Sequence, residues 1–282
     1  MRKVPQYNLE GIFSKSQKLK LHEICCYAIT HQETIHYNLF LEALNKYGIC
    51  ILSLNYRDNS ATFKQIIKNL GTLHSHKEKD SFLWNIKVLR LEKSTQPLAR
   101  SHKDREFHFH TDCSYEENVP DYFALYVLHA DQKSGGKNLI VVIKSVIGAL
   151  SKESLKTLQS DPVTIKVPQE FYKGIASIQA CIIDENNNIR YRREIIDSNH
   201  LTSKQVKAIG ELERLVYSPE FCRGLILSDD QILILSNKKY LHARTHIKDP
   251  ERHLQRIRFF KASPTIASTP SETKQESPNL NK

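Results

Sequence analysis

The chain has 282 residues, 40% of them hydrophobic, and a formal net charge of +10. This is apolar material enough for a real core in one large domain or two small ones. No run of 18 apolar residues occurs, so no membrane span is expected, and the N-terminal Met1-Arg2-Lys3-Val4-Pro5 lacks the apolar core of a signal peptide.

The six cysteines form no CxxC pair, and the basic residues are scattered rather than gathered into a run interleaved with aromatics. These features point to a cytoplasmic protein with reduced thiols and a solvated basic surface, and away from a nucleic-acid partner. Residues 18–30 (KLKLHEICCYAIT) and 37–46 (YNLFLEALNK) carry apolar side chains at helical spacing. Residues 49–54 (ICILSL) predict a buried strand, 62–70 a short helix closed by Gly71, and 82–89 a second strand. A polar loop over 92–106 leads into an extended stretch, Phe107 to Tyr115 (FHFHTDCSY). An apolar strand over 122–129, a Gly135-Gly136 turn and a strand over 139–143 follow. Short helices start at Ser145 and Ser154, and 163–167 alternates as a strand does. Residues 178–183 and 189–196 flank Asp184-Glu185-Asn186-Asn187-Asn188, a hairpin signal. Residues 203–217 predict an amphipathic helix with Ser203 as N-cap. Short strands at 225–227 and 231–235, the stretch 240–247 and a last strand over 252–260 complete the pattern. Residues 263–282, rich in Ser, Thr, Pro, Lys and Asn, predict a disordered tail. Helices near the N-terminus followed by many short strands, without βαβ alternation, predict an α+β chain. Its core would be a double-stranded β-helix, or jelly roll, flanked by helices, in one domain over 1–262.

Along an extended strand side chains alternate, so His110 and Asp112 share one face while Phe107, Phe109 and Thr111 take the other. An imidazole beside a carboxylate is two-thirds of the 2-His-1-carboxylate set that holds a non-haem Fe(II). The same pattern alone also describes a strand with a solvated polar face. What answers it is His242, some 130 residues downstream in Leu241-His242-Ala243-Arg244-Thr245. His108 shares the face of His110 and is expected behind the ligands or on the surface. Cys113 is expected as a small buried hydrophobe, and Arg258 as the partner of a surface acid. On a strand over 252–260, Arg252, Leu254, Arg256 and Arg258 point the same way. Arginines on an inner face need anions, and a guanidinium meets a carboxylate bidentately. A dicarboxylate such as 2-oxoglutarate would answer that need. Arg252 and Arg256 are roughly 13 Å apart at strand rise, too far to hold one small carboxylate between them.

His110-Thr111-Asp112, Gly135-Gly136, Asn237 with Leu241-His242-Ala243-Arg244-Thr245, and Arg252-His253-Leu254-Gln255-Arg256 together resemble one family, over residues 45–260. They are similar, in order and rough spacing, to the TauD/TfdA family of Fe(II)/2-oxoglutarate dioxygenases, in particular its clavaminate-synthase-like and γ-butyrobetaine-hydroxylase-like members. The resemblance implies that His110, Asp112 and His242 bind the iron and that Arg252 binds the distal carboxylate of 2-oxoglutarate. Asn138 stands where the family has a threonine touching that carboxylate, and an amide can donate there. Arg256 matches an arginine that meets an anion on the prime substrate. Leu70-Gly71-Thr72-Leu73-His74-Ser75-His76 resembles a loop that brings a substrate-binding histidine, here His76. Ser228-Asp229-Asp230 departs from the family's Pro-Gly-Asp turn. The implied reaction consumes O2 and 2-oxoglutarate, releases succinate and CO2, and by default hydroxylates a small anionic or zwitterionic substrate. Two other readings are compatible with the residues: a non-catalytic jelly-roll binding module, and an oxygenase of the same chemistry acting on a macromolecule. A homo-oligomer is also compatible with the sequence.

Overall fold

The computed structural model describes residues 7–19, 25–30, 34–75, 82–89 and 98–262. Six α-helices and fourteen strands are found among them. In chain order these are α1 (Leu9–Lys15), β1 (Gln17–Lys18), β2 (Cys25–Ile29), α2 (Tyr37–Tyr47), β3 (Ile49–Leu54), α3 (Ala61–Leu70), β4 (Gly71–His74) and β5 (Trp84–Lys87). Then come β6 (Phe107–His110), β7 (Tyr122–His129), β8 (Asn138–Val142), α4 (Ile143–Ala149), α5 (Lys152–Ser160), β9 (Val163–Lys166) and β10 (Ser177–Ala180). The chain continues through α6 (Ser203–Val216), β11 (Cys222–Leu225), β12 (Gln231–Ser236), β13 (Tyr240–Arg244) and β14 (His253–Lys261). No helix among the described residues is long and apolar enough to cross a membrane.

Two sheets carry the mixed α/β architecture. The larger has the order β2-β3-β12-β7-β14-β4, with β5 also paired to β14; the smaller has the order β1-β11-β8-β13-β6. Strand alternation explains how they pack. On β7, Tyr122, Ala124 and Tyr126 face α2 and α3, while Phe123, Leu125 and Val127 face the smaller sheet. With both faces covered, the strand is a continuous apolar run rather than an alternating one. On β13 and β8 the outward residues Leu241, Ala243, Leu139 and Val141 join the core under α1, α4, α5 and α6. That parity leaves His242 and Asn138 on the face turned toward the larger sheet. On β14, Ile257 and Phe259 pack under the helices, which turns Leu254, Arg256 and Arg258 inward.

Several local expectations are corrected. Residues 25–29 form a strand, not a helix: β2 lies parallel to β3, pairing Cys25 with Cys50 through Ile29 with Leu54. Edge pairing onto an existing sheet outweighs the helical spacing of a short apolar run. The 184–188 turn forms, held by the Asp184 carboxylate on the amides of Asn186 and Asn188. The strand before it, however, pairs with β9, and only an isolated Ile183–Ile189 bridge joins its two flanks. α6 is capped by Thr202 rather than Ser203, in a capping box completed by Gln205. Gly71 does end α3, but for a reason of space. Its backbone is extended, and a Cβ there would lie 1.9 Å from the Phe260 carbonyl oxygen of the neighbouring strand. The expected tail over 263–282 lies outside the described residues.

Candidate active site

β6 and β13 run antiparallel in the smaller sheet with His110 directly opposite His242. Arg244 pairs with Phe107, so two steps along β13 match three along β6, a β-bulge. The extra residue shifts the parity of β6. Phe107, expected on the face opposite His110, instead stacks on its ring at 3.7 Å. β6 also stops at His110, so Asp112 lies in the turn that follows rather than on a continuing strand.

That turn is held from two sides. The Asn237 side chain, fully buried, accepts from the Asp112 amide at 2.7 Å and donates to the Asp112 and Pro120 carbonyls at 2.8 and 3.1 Å. The Thr111 amide donates to the Tyr191 carbonyl at 2.7 Å, and the Tyr191 amide returns a bond to the Thr111 hydroxyl. The result brings Asp112 Oδ1 to 3.6 Å from His110 Nε2 and 3.8 Å from His242 Nε2. Ligand atoms on adjacent corners around one ion, at bond lengths of ~2.1 Å, would lie about 3 Å apart. The trio is therefore within a small adjustment of a shared metal.

The surroundings suit a cation. The His110 Nδ1 is 2.7 Å from the His108 carbonyl oxygen, and as its donor leaves the Nε2 lone pair free. That Nε2 is buried with no hydrogen-bond partner. Burial lowers the pKa of both imidazoles, and for His242 the neighbouring His110 lowers it further, which favours the neutral rings a metal requires. Burial opposes the charge of Asp112, but Arg256 and Arg258 hold its carboxyl well below the usual carboxylate range. Phe123 covers the other face of the site, its ring 4.3 Å from that of His242.

Two cavities meet at this trio. One lies between His242 and Arg252 and is lined by Asn138, Leu254, Ser101 and Arg256 as well. The Arg252 guanidinium makes no ion pair among the described residues; burial lowers its pKa to about 10, with Asp131 opposing that fall. Gly136, at φ +58°, lets it approach, since a Cβ there would lie 2.8 Å from Arg252 Nε. The preceding turn is tied to the segment before Arg252 by the Asp131 carboxylate, which accepts from the amides of Gly135, Lys248 and Asp249. Arg244, of the motif after His242, binds backbone carbonyls of Lys103 and Arg105 and so fixes the cavity rim.

The other cavity reaches Asp112 from the far side and is lined by Arg100, Arg192, Arg256 and Arg258. Arg256 NH1 donates to Asp112 Oδ1 at 3.2 Å and lies 3.1 Å from Oδ2, while Arg258 Nε donates to Oδ2 at 2.7 Å. Arg258 thus pairs with a buried carboxylate of the site, not with a surface acid. Neither its role nor that of Asn237 follows from pattern, although strand parity had already put Arg258 on the inner face. Cys113 is buried as expected, its thiol pushed up to about 12 by burial. His76 lies outside the described residues; His74, two residues earlier, contacts Glu116 at 2.6 Å.

The model of the taurine catabolism dioxygenase TauD, TfdA family matches residues 28–258. No curated protein matches the sequence. Among solved structures, an asparagine oxygenase in complex with Fe(II), 2S,3S-3-hydroxyasparagine and succinate is 16% identical with a TM-score of 0.61, covering 80% of this chain and 77% of its own. The non-heme iron oxygenase OrfP, in complex with Fe, succinate and (3S)-hydroxy-L-Arg, is 11% identical with a TM-score of 0.63, over 79% and 80% of the two chains. The PvcB protein from Pseudomonas aeruginosa is 12% identical with a TM-score of 0.61, over 83% and 86%. At these identities the likeness is one of fold.

Proposed function

We propose a reaction from one premise: the chain belongs to the taurine catabolism dioxygenase TauD, TfdA family. The protein is an Fe(II)- and 2-oxoglutarate-dependent dioxygenase that hydroxylates a small substrate bearing an anionic group, with release of succinate and CO2. The observation that carries this reading is the convergence of His110, Asp112 and His242 on one point beside a buried arginine that makes no ion pair among the described residues. The structural neighbours that hold hydroxylated amino acids and succinate agree with it. The two sheets would form the double-stranded β-helix of a single catalytic domain ending at Ala262.

His110 and His242 through Nε2 and Asp112 through Oδ1 would hold ferrous iron. Iron bound there supplies the oxidative decarboxylation of 2-oxoglutarate and the oxidation of a substrate C–H bond. The residues around it bind, orient and keep water out. Arg252 receives the distal carboxylate of 2-oxoglutarate, which gives this buried guanidinium its missing anion. Asn138, on the same cavity wall, supplies an amide donor to that carboxylate. The His108 carbonyl keeps the His110 tautomer with Nε2 toward the metal. Phe107 and Phe123 shield the two imidazoles from water. Arg256, whose Nε has no hydrogen-bond partner, meets an anion of the prime substrate. The test is O2-dependent release of succinate from 2-oxoglutarate by the Fe(II)-loaded protein, compared with Asp112→Ala. Equal release by the two proteins would reject the assignment.

A further inference from the structure

The cavity on the Arg256 side of the site has an unbalanced wall. Four guanidinium groups line it, from Arg100, Arg192, Arg256 and Arg258, and among the described residues Asp112 is the sole carboxylate that does. Asp112 has no oxygen to spare. Its Oδ2 takes Arg258 and Arg256, and its Oδ1 faces the two imidazoles where the metal would sit. The nearby carboxylates are engaged elsewhere. Glu194 stands behind Arg192 and accepts from its Nε and NH2, and Glu116 contacts His74 and Lys173. Donors, by contrast, are left over: the Nε atoms of Arg256 and Arg100 are both buried without an acceptor among the described residues. The rest of the wall is aromatic. Tyr115 and Phe171 stack at 5.3 Å, and Phe107 lines the same cavity.

On the reading of this centre as an Fe(II)/2-oxoglutarate site, we propose that the prime substrate is an organic anion with no ammonium or guanidinium group in this cavity, rather than a zwitterionic or cationic amino acid. A substrate ammonium would enter a wall of four guanidiniums with no free carboxylate to receive it, and burying an unpaired cation beside like charges is costly. A carboxylate, sulfonate or phosphate finds unused donors on Arg256 and Arg100. The stacked rings accept an apolar body behind it. Once iron takes up the charge of Asp112, Arg256 and Arg258 lose part of their compensation, and the substrate anion restores it.

Matched pairs of acids test this on the anaerobic protein loaded with Fe(II) and 2-oxoglutarate, whose weak visible chelate band is the readout. The pairs are 3-phenylpropanoate against L-phenylalanine and succinamate against L-asparagine. Each acid without the amino group should shift the band with a Kd at least about tenfold below that of its amino acid. Arg192→Glu, which places a carboxylate in the wall, should shrink that gap to about threefold or less. Amino acids that bind as tightly as their partners, or a parent band that responds to no member of either pair, would overturn the proposal. A parent that forms no chelate band would instead remove the Fe(II)/2-oxoglutarate reading, and this inference with it.

Discussion

Just before β14, Arg252 is 5% exposed and makes no ion pair among the described residues; within β14, Arg256 and Arg258, 5% and 3% exposed, both hold Asp112. All three guanidiniums belong to the inward side of the same segment, yet one waits for an anion and two already share one. A buried unpaired charge costs stability, whereas breaking a buried pair strands its partner. The Arg252 end is therefore where an anionic ligand would supply the missing balance. The Arg256 and Arg258 end is part of the scaffold, its guanidiniums already engaged with Asp112.

The largest expected effect lies at the shared carboxylate. Asp112→Ala removes the carboxylate that two buried guanidiniums share and should destabilise the metal-free protein by about 3–5 kcal/mol. A urea unfolding midpoint within error of the parent's would break the comparison. The pH dependence follows from the same contact. The arginines, against the opposing effect of burial, hold the folded-state carboxyl well below its usual range. Its stabilisation is then complete above an unfolded pKa of ~3.9 and is lost as pH falls toward the folded value. Asp112→Asn should remove that acid-range loss.

At the other end, Arg252→Leu should weaken 2-oxoglutarate binding by about 2–5 kcal/mol, a factor of roughly 30 or more, as read by anaerobic titration. The same substitution should leave the metal-free protein as stable as the parent or more so, because it removes an uncompensated buried charge. A fall in stability would mean that Arg252 has a structural partner after all. Arg258→Leu should do the reverse. It removes a charge-assisted bond worth about 1.5–3 kcal/mol from the metal-free protein, so its denaturant midpoint should fall below the parent's while that of Arg252→Leu does not. The smallest change is Asn138→Thr, which exchanges one donor for another and should alter the 2-oxoglutarate Kd by no more than about threefold, or ~0.7 kcal/mol. A much larger change would show that the amide makes a contact a hydroxyl cannot.

The parts of the site legible in the sequence were those set by local alternation. Arg252, Arg256 and Arg258 share a side because the chain is extended from Arg252 through β14, whereas His242 and Asn138 are expected only through the family resemblance. What alternation misses is pairing between distant segments. The bulge that brings Phe107 onto His110 exists only in the register of β6 against β13. The clamp of Asn237 on Asp112 joins residues 125 apart in sequence. The 25–29 segment reads as helical until β3 is present to pair with it. Alternation puts Arg258 on the inner face but does not identify its partner, because nothing local shows that a carboxylate arrives from the turn after β6.

Iron binding itself tests the central claim most directly. Equilibrium dialysis of Fe(II) under anaerobic conditions should give one equivalent per chain for the parent and no tight equivalent for His110→Ala or His242→Ala. Both variants leave Asp112 with its arginines, so both should keep the parent's unfolding free energy to within about 1 kcal/mol. One equivalent bound with the parent's affinity by both folded variants would contradict the account, because the imidazoles facing Asp112 would then not be the metal's ligands.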